Sequence, residues 1–368
     1  MKLRAAEFFA GIGLVRAALE LEGVEVVWAN DIHPVKAAVY RENYGDAHLV
    51  VGDVRTVRGA QLPPAELATA SFPCTDLSLA GNRSGLGGAE SSAFFEFVRV
   101  LGEQGRARPG AVLVENVPAL ASSRRGADLA EVVAALNSLG YSCDLAVLDA
   151  RRFLPQSRPR LFIVGARTPP PPSRPSPTSP DWLRPPWVGD FAARFLGLAL
   201  HFSALEAPPP SVGRLGDCVE RLAGEDPRWW DPARTARFTA SLSPLHARRL
   251  AALAAGERRT WRSAYRRTRN GAATWEIRAD ALAGCLRTAR GGSSKQALVE
   301  AGRGEVRVRW MTALEYARLQ GAPAHRRASV SENQALFGFG DAVCVPAVAW
   351  VVRRLVRPAL LEQHPQAS

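Results

Sequence analysis

The sequence predicts an α/β protein, with a doubly wound, mostly parallel sheet followed by a smaller, irregular, mostly β domain. Short apolar strands alternate with amphipathic helical segments through residue 168, a pattern typical of parallel sheets covered by helices. The proline-rich run TPPPPSRPSPTSP, Thr168 to Pro180, then interrupts the alternation, because proline disrupts helices and central strands. From about Trp187 to Arg309 the apolar pattern becomes irregular, which indicates a second domain.

The elements of the first domain follow from the spacing of its apolar residues. Strands are predicted over Arg4–Phe8, Val24–Asn30, Leu67–Ser71, Ala111–Glu115, Cys143–Asp149 and Leu161–Ala166. Helices are predicted over Gly13–Leu21, Pro34–Asn43, Ser92–Gly102 and Ala127–Leu139. Near the C-terminus, Thr312 to Gln320 reads as a helix with a capping box formed by Thr312 and Glu315. The apolar stripe of Gly338 to Val352 requires a core to pack against.

The charge of the chain favours a nucleic-acid partner. The net charge is +12, and the basic residues are nearly all arginine, since the lysines are only Lys2, Lys36 and Lys295. Arginine suits phosphates and guanine edges, and between 187 and 309 it is interleaved with tryptophan and tyrosine. A GC-rich genome and a solvated charged face would explain the same composition. With no apolar run near ~20 residues and no signal peptide, we expect a cytoplasmic, nucleoid-associated protein without a membrane contact.

The cysteine in SFPCTD, Ser71 to Asp76, is a candidate nucleophile. The five cysteines are far apart and form no CxxC pair, so neither a disulfide framework nor a zinc site is expected. Cys74 follows a predicted central strand, at the sheet edge where α/β enzymes place their sites. A buried packing role is the common alternative for a cysteine. The glycine-rich run GNRSGLGGAE that follows favours the nucleophile, because a core cysteine needs no loop that closes over a substrate.

Two further motifs carry candidate site residues at strand ends. EFFAGIG, Glu7 to Gly13, joins the first strand to the first helix, where glycines permit a tight turn and a close ligand. Asp31 and Asp53 end later apolar runs, where carboxylates can bind a ribose and an adenine amine. Helix caps and turns are the alternative for each.

VLVENVP, Val112 to Pro118, ends a strand in Glu115 and Asn116, and a glutamate there can move a proton on a reacting ring. A turn is the alternative for this Glu-Asn pair. QSRPR, Gln156 to Arg160, places two arginines before another strand, which taken alone would be ordinary surface charges.

Seven motifs in order resemble the series of the cytosine-5 DNA methyltransferases of bacterial restriction-modification or phage-defence type. They are EFFAGIG, SFPC, SAFFE, ENV, QSRPR, ARLQGAP and GFGDAV, beginning at Glu7, Ser71, Ser92, Glu115, Gln156, Ala317 and Gly338. Each motif alone is weak or moderate, but their order and spacing fit from residue 5 to about 355. The unmatched part, about 187–285, is where that family carries its variable target recognition domain.

The resemblance implies covalent catalysis on cytosine. The Cys74 thiolate would attack C6, so that C5 accepts a methyl group, and Glu115 would bond the ring N3 and the exocyclic N4. Arg160 would steady the base with support from Arg158, and Asn116 would hold the strand end. The target base must leave the duplex, which costs a few kcal/mol.

The cofactor implied by the resemblance is S-adenosyl-L-methionine, with S-adenosyl-L-homocysteine as product and no metal. Phe9 would stack on adenine, Gly11 and Gly13 would admit the methionine part, Asp31 would bind the ribose and Asp53 the adenine amine. The remaining implied cofactor contacts are Ile12, Ile32, Val54, Pro73, Phe94, Asp341 and Val343. Implied DNA contacts are Ser78 and Arg83 in the closing loop 78–90, and Arg287, Arg290, Ser293 and Lys295.

The resemblance also divides the chain and defines its partners. It implies a Rossmann-like methyltransferase domain over 1–168, a linker over 169–186, a target recognition domain with hinge over 187–331, a returning segment over 332–356 and a tail over 357–368. We expect a monomer that acts on double-stranded DNA beside cognate restriction or defence proteins. A tRNA methyltransferase and a non-catalytic DNA-binding homologue are the alternatives.

Three positions depart from the family pattern. A glutamine commonly follows the catalytic cysteine, where this chain has Thr75; the final motif usually has Gly-Asn, where it has Gly340-Asp341. Ile32 after Asp31 suggests a different packing for adenine. None of these departures removes a catalytic group.

Overall fold

The described part of the chain forms two compact units. This computed structural model describes residues 2–72, 92–169, 180–211, 213–269, 271–287 and 295–361. Unit 1 comprises Met1–Asp149, Pro159–Pro208 and Val345–Ser368, and unit 2 comprises Ala150–Arg158 and Pro209–Cys344. The chain therefore leaves unit 1 after Asp149, returns at Pro159, and returns again at Val345.

Unit 1 is built on a mostly parallel sheet, which confirms the predicted fold class. Within the described residues its strands are β1 (Arg4–Phe8), β2 (Glu25–Asp31), β3 (Leu49–Val51), β4 (Leu67–Ala70), β5 (Ala111–Asn116), β6 (Ser142–Asp149) and β7 (Pro159–Ala166), in the order β3-β2-β1-β4-β5-β7-β6. The connecting helices are α1 (Leu14–Leu21), α2 (Pro34–Tyr44), α3 (Ala93–Glu103) and α4 (Ala127–Ser138). Only β7 runs antiparallel to its neighbours β5 and β6.

The central strands are buried because helices cover both faces of the sheet. β4 and β5 are buried at every position, as expected for parallel strands in a doubly wound fold. The ring of Phe8 packs 4.8 Å from Trp28 and 4.9 Å from Phe97 between centroids, so the first strand, the second strand and α3 share one core. Because β1, β2, β4 and β5 pair in parallel, their carboxyl ends lie at the same edge of the sheet.

Residues 180–208 pack with unit 1, whereas the sequence-based division assigns 187 onward to the second domain. The helix α5 (Pro186–Arg194) adds Val188 and Phe191 to the core of unit 1. Arg184 holds both oxygens of the buried Asp144 on β6, at 2.7 and 2.8 Å. A desolvated carboxylate needs such a partner, so this ion pair anchors the segment after the proline-rich run. Of that run, residues 170–179 lie outside the described residues.

The C-terminal helices belong to unit 1 and contact the region at the end of α1. They are α11 (Val345–Val351), a π-helical turn (Val352–Val356) and α12 (Arg357–Leu361), and Arg353 pairs with Glu22 at 2.6 Å, just beyond α1. The run Glu332–Leu360 is long and apolar enough to cross a membrane, but 78% of its most apolar window is buried inside the protein. Such burial is typical of the core helix of a soluble protein. The apolar stripe of Gly338 to Val352, which was expected to need a core, is largely buried here.

Unit 2 combines an antiparallel sheet with helices, of which the sequence predicted the one that follows Thr312 but not those between residues 215 and 254. Its strands are β8 (Thr260–Arg269), β9 (Ala272–Ile277), β10 (Gln296–Gly302) and β11 (Glu305–Trp310), in the order β11-β10-β8-β9. Its helices are α6 (Leu215–Cys218), α7 (Pro232–Ala240), α8 (Pro244–Ala254), α9 (Ala313–Leu319) and α10 (Glu332–Asp341). The predicted capping box of Thr312 and Glu315 is present at α9.

A buried amide network joins four distant segments within unit 2. Gln156 is fully buried; its Nε2 donates to the Leu319 carbonyl at 2.7 Å, and its Oε1 accepts from the Leu286 amide at 3.3 Å. Gln320 in turn donates to the carbonyls of Phe339 and Ala342 at 2.7 and 2.9 Å. The two glutamines therefore satisfy main-chain groups that no water reaches.

Gln156→Leu is expected to lower the free energy of unfolding by about 2–4 kcal/mol, because it leaves a buried carbonyl and a buried amide without partners. Urea unfolding followed by tryptophan fluorescence measures the change. Gln334→Leu is the matched control, since Gln334 only caps the exposed start of α10 through the Ser331 amide, and a loss within about 1 kcal/mol is expected. Equal losses in the two variants would contradict the role of the network.

Candidate active site

The turn between β1 and α1 holds three residues in the left-handed region. Phe9, Gly11 and Gly13 have φ of 56°, 58° and 86°. A non-glycine residue rarely adopts this conformation, and strained backbone concentrates at functional sites. The turn is held by hydrogen bonds from the Ala10 amide to the Asn30 carbonyl and from the Gly13 amide to the Ala10 carbonyl, each 2.8 Å.

The two glycines of this turn, Gly11 and Gly13, have different structural roles. A Cβ on Gly13 would lie 2.6 Å from Cε2 of Tyr44 and 2.9 Å from Cδ2 of Tyr40, so Gly13 is required by the packing of α2. A Cβ on Gly11 would have the Phe9 carbonyl oxygen at 4.0 Å as its nearest contact. Open space at Gly11 leaves room for a ligand against the backbone, whereas the sequence predicted that role for both glycines.

Asp31 ends β2 and supports the same turn. Its Oδ2 accepts from the Gly11 amide and its Oδ1 from the His33 amide, both at 2.7 Å. Each carboxylate oxygen retains capacity for a further donor, such as a ribose hydroxyl. Beside it, Ile32 is 62% exposed, and Val51, which pairs with Asp31 across the sheet, is 39% exposed. These apolar side chains form a surface against which a flat ring could pack.

The other predicted cofactor residues occupy three kinds of position. Ile12, Val54 and Phe94 are buried, so their side chains belong to the core. Asp53 caps a 3₁₀ turn through the Arg55 amide and pairs with the Arg55 guanidinium at 2.7 Å, which holds the pKa of its carboxyl below the usual range. Asp341 and Val343 lie at the end of α10 and just beyond it, in unit 2.

Glu7 is a buried carboxyl group that sequence reasoning did not single out. It lies on β1 beneath the turn, fully buried, and its Oε1 accepts from the Arg16 amide at 3.2 Å. Its Oε2 is buried without a hydrogen-bond partner among the described residues. Burial raises the pKa of Glu7 from 4.5 to about 8, so the group is largely neutral at pH 7. The available signal was a glutamate between Ala6 and Phe8, at the inner end of a strand that begins with Arg4.

Glu115 and Arg160 form an ion pair at the carboxyl end of β5. Because β7 is antiparallel, its first residues lie beside the last residues of β5, and Arg160 Nε is 2.8 Å from Glu115 Oε1. Both side chains are mostly buried, at 15% and 11% exposure. The contact is not a directed hydrogen bond, since Glu115 Oε1 accepts none from the described residues. A carboxylate oxygen can accept more than one donor, so an N–H group of a ligand could share this oxygen with Arg160.

Asn116 ties the ends of two neighbouring strands together. Its Nδ2 donates to the Phe72 carbonyl at 3.2 Å, and its Oδ1 accepts from the Val117 amide at 2.8 Å. Phe72 follows β4 directly, two residues before Cys74 in the chain. The side chain thus fixes where the chain leaves β4, in keeping with the geometric role predicted for it.

Arg158 binds main-chain carbonyls within unit 2. Its Nη1 donates to the Leu286 carbonyl at 2.8 Å and its Nη2 to the Ala342 carbonyl at 2.7 Å, and the residue is 2% exposed. Among the described residues, these contacts give this motif arginine a structural role, because a buried guanidinium needs several acceptors. Its predicted support of catalysis stays a prediction, since Cys74 lies outside the described residues.

Six predicted site residues lie outside the described residues: Pro73, Cys74, Ser78, Arg83, Arg290 and Ser293. Of the other predicted DNA contacts, Arg287 is exposed, and Lys295 donates to Asn333 Oδ1 at 2.8 Å in unit 2. Three other cysteines, Cys143, Cys218 and Cys344, are buried, and burial raises the pKa of the Cys143 thiol to about 12 and that of Cys218 to about 11. Such thiols are inert at neutral pH.

One edge of the doubly wound sheet carries a strained glycine turn, strand-end carboxylates and an Arg–Glu pair. These are the features of a candidate nucleotide-binding site on an α/β enzyme fold. The chain belongs to the C-5 cytosine-specific DNA methylase family, whose sequence model matches residues 3–186. The match covers the strands, the turn and the Glu115–Arg160 pair described above.

Similar proteins carry methyltransferase names. Over 169 residues the chain is 34% identical to the type II methyltransferase M.Bsp6I of Bacillus sp. (strain RFL6), covering 45% of this chain and 52% of that protein. Over 163 residues it is 33% identical to the type II methyltransferase M.HhaI of Haemophilus parahaemolyticus, covering 44% and 48%. The matched region spans about half the length of each of these relatives.

Solved structures share the fold over nearly the whole chain. The Dnmt2 methyltransferase of S. pombe aligns with a TM-score of 0.62 at 19% identity, covering 97% of this chain and 99% of that one. The methyltransferase EhMeth of Entamoeba histolytica aligns with a TM-score of 0.65 at 13% identity, covering 100% of both. At these identities the likeness extends to the fold alone, and it includes the region beyond residue 186.

Gly11→Ala and Gly13→Ala are expected to separate ligand binding from packing. Gly13→Ala should lower the free energy of unfolding by about 2–4 kcal/mol, through overlap with the two tyrosines and a left-handed alanine. Gly11→Ala should lower it by about 1–2 kcal/mol but weaken the binding of S-adenosylmethionine at least about tenfold. Urea unfolding and titration calorimetry measure the two effects. Unchanged binding in Gly11→Ala would contradict a ligand at that glycine.

Glu7→Gln is expected to remove a pH dependence of stability. A pKa raised from 4.5 to about 8 in the folded state means that the stability present below pH 4.5 is lost as the pH rises toward 8, at up to about 1.4 kcal/mol per pH unit. Urea unfolding between pH 5 and pH 8.5 should show this decline in the parent protein and a flatter profile in the variant. Parallel profiles would rule out a buried protonated Glu7.

Proposed function

We propose that this protein is a DNA (cytosine-5-)-methyltransferase that transfers a methyl group from S-adenosylmethionine to cytosine. The observation that carries the proposal is the Glu115–Arg160 pair at the end of β5, 2.8 Å apart and mostly buried. A carboxylate oriented by arginine at that edge can accept N–H groups of a base. Membership of the family and a net charge of +12 support a nucleic-acid substrate.

The turn residues fit an adenosine-containing cofactor. Gly11 leaves open space against the backbone, Asp31 offers carboxylate oxygens at the strand end, and Ile32 and Val51 expose apolar surface beside it. S-adenosylmethionine, when bound there, would supply an electrophilic methyl group. Asp53 would reach an adenine amine only if Arg55 shares its carboxylate, because both oxygens now face that guanidinium.

The residues of this chain would activate the cytosine ring. The Cys74 thiolate would bond to C6 while Glu115 binds N3 and the exocyclic N4, which makes C5 nucleophilic. After C5 accepts the methyl group, a base removes the C5 proton and the electron pair re-forms the C5–C6 double bond, which expels Cys74. Arg160 orients Glu115 throughout, and Asn116 fixes the chain that leads from β4 toward Cys74.

The biological role that we propose is protection of host DNA in a restriction-modification or phage-defence system. The type II methyltransferase names of the similar proteins support it. Methylation-mapped sequencing of DNA from cells that express the protein would reveal the recognition sequence, and digestion with nucleases that cut at that sequence would show whether the methylation protects it.

Methyl transfer to duplex DNA is the direct test. The purified full chain with methyl-labelled S-adenosylmethionine should label duplex DNA and not tRNA, and Cys74→Ala should abolish labelling while it still binds the cofactor. Glu115→Gln should reduce kcat by about 10²-fold or more. Glu66→Gln is the matched control, because it alters another Arg–Glu pair, with Arg4 at 3.0 Å, at the start of β4.

The outcomes of this assay are distinct. Labelled 5-methylcytosine in DNA, and a covalent complex between fluorocytosine DNA and the parent chain but not Cys74→Ala, would support the proposal. Labelling of tRNA alone would assign the same chemistry to RNA. DNA binding without labelling of either nucleic acid would identify a non-catalytic DNA-binding homologue.

A further inference from the structure

Unit 2 contains a cavity to which the family motifs contribute only Ala317 and Phe339, and of the predicted DNA and cofactor contacts only Lys295 lines it. Its volume is about 830 Å³, within the ~300–1,000 Å³ range of small-molecule sites. Its walls come from the start of α7, the end of β11, the start of α9 and Lys295, just before β10. All of these elements lie within unit 2.

Two cations in this cavity lack an anionic partner. No carboxylate of the described residues pairs with Arg234 or Lys295, although both side chains are partly buried. Burial lowers the pKa of both groups. The nearby carboxylates Asp231 and Glu332 raise the pKa of Arg234 and of Lys295 respectively, whereas Arg237 lowers that of Arg234 and Arg234 lowers that of Lys295. Two desolvated like charges are unfavourable unless an anion joins them.

A third cation of the same cavity is already neutralised. Arg228 pairs with Asp226 at 2.8 Å and with Glu220 at 2.9 Å. Arg327, which also lines the cavity, pairs with Glu332 at 2.7 Å. Arg234 and Lys295 are therefore the arginine and lysine of this lining that form no ion pair with a described carboxylate, and both lie near Trp310.

Aromatic rings flank the two unpaired cations. The guanidinium of Arg234 lies 4.2 Å from the ring centre of Trp230 and 5.6 Å from that of Trp310. The ammonium of Lys295 lies 5.5 Å from the ring centre of Trp310. Both rings are partly exposed, and Leu314, 38% exposed, adds apolar surface. A ligand that suits these walls carries negative charge next to a flat apolar ring.

We propose that this cavity binds one unstacked nucleotide of the DNA substrate, with its phosphate between Arg234 and Lys295 and its base against Trp310. Proteins that hold single-stranded segments combine cations with aromatic platforms in this way. An inorganic anion would leave the tryptophan surface unused, and an apolar ligand would leave the cations unpaired. The inference rests on the proposed function for its substrate, and it adds a contact outside the base that is methylated.

The salt dependence of DNA binding tests the phosphate contact. Binding of a fluorescent duplex, measured by anisotropy over a range of salt, should weaken about 5–10-fold in Arg234→Gln and in Lys295→Gln. In each, the slope of log affinity against log salt should fall by about 1. Arg237→Gln, which removes an exposed charge of α7 outside the cavity, and Arg228→Gln, which removes the neutralised one, should change affinity less than about twofold.

Equal effects in all four variants would overturn the proposal, because the loss would then reflect net charge alone. Methyl transfer by the parent chain separates this result from the proposed function. If the parent methylates DNA and the cavity variants bind like the controls, the cavity proposal fails alone. If the parent methylates neither DNA nor tRNA but the cavity variants still lose affinity selectively, the proposed enzyme activity fails and the nucleotide site stands.

Photocrosslinking tests the position of the base. Duplexes with 5-iododeoxyuridine at successive positions are irradiated in complex with the full chain, and crosslinked peptides are mapped by mass spectrometry. A crosslink to Trp310 or Trp230 from one position is expected, lost in Arg234→Gln. Crosslinks elsewhere with none to these two rings would overturn the base contact.

Discussion

The antiparallel pairing of β7 with β5 is the constraint on which the candidate site depends. If β7 ran parallel to β5, its first residues would lie at the opposite end of the sheet from Glu115. Because it is antiparallel, Arg160 reaches Glu115 within 2.8 Å, and the segment before it, 150–158, is free to enter unit 2. The antiparallel direction of β7 therefore places Arg160 beside Glu115. It also leaves Gln156 and Arg158 in the preceding segment, where they bind their buried partners in unit 2.

Residues of the same motif have different roles, some in the candidate site and some in the packing of the protein. In QSRPR, Arg160 faces Glu115, whereas Gln156 and Arg158 satisfy main-chain groups around Leu286, Leu319 and Ala342. In EFFAGIG, Gly11 leaves space for a ligand and Gly13 admits the tyrosines of α2. A buried polar network is stable only when every member is satisfied. A motif residue that belongs to such a network therefore tolerates as little substitution as one that takes part in the reaction.

The alternation of apolar segments predicted the elements of unit 1 closely, since β1 was predicted at its observed bounds and most others within one or two residues. The capping box at Thr312 and Glu315 was predicted because its residues are adjacent in sequence and its bonds are local. Unit 2 was less predictable. Its helices α7 and α8 lie where the apolar pattern is irregular. Its sheet draws strands from residues 260 to 310, and β10 pairs with β8, which is distant in sequence, so that pairing is set by long-range contacts.

The sequence by itself determined the family, the candidate chemistry of Glu115 and Arg160, and the strands that carry them, because apolar periodicity and ordered motifs are local properties. Only the tertiary structure decided that Glu7 is buried with a raised pKa, that Arg158 binds carbonyls, and that Arg234 and Lys295 share one cavity with Trp310. Each of these depends on burial and on groups far apart in the chain. Desolvation and the pairing of distant charges are not encoded in any short stretch of residues.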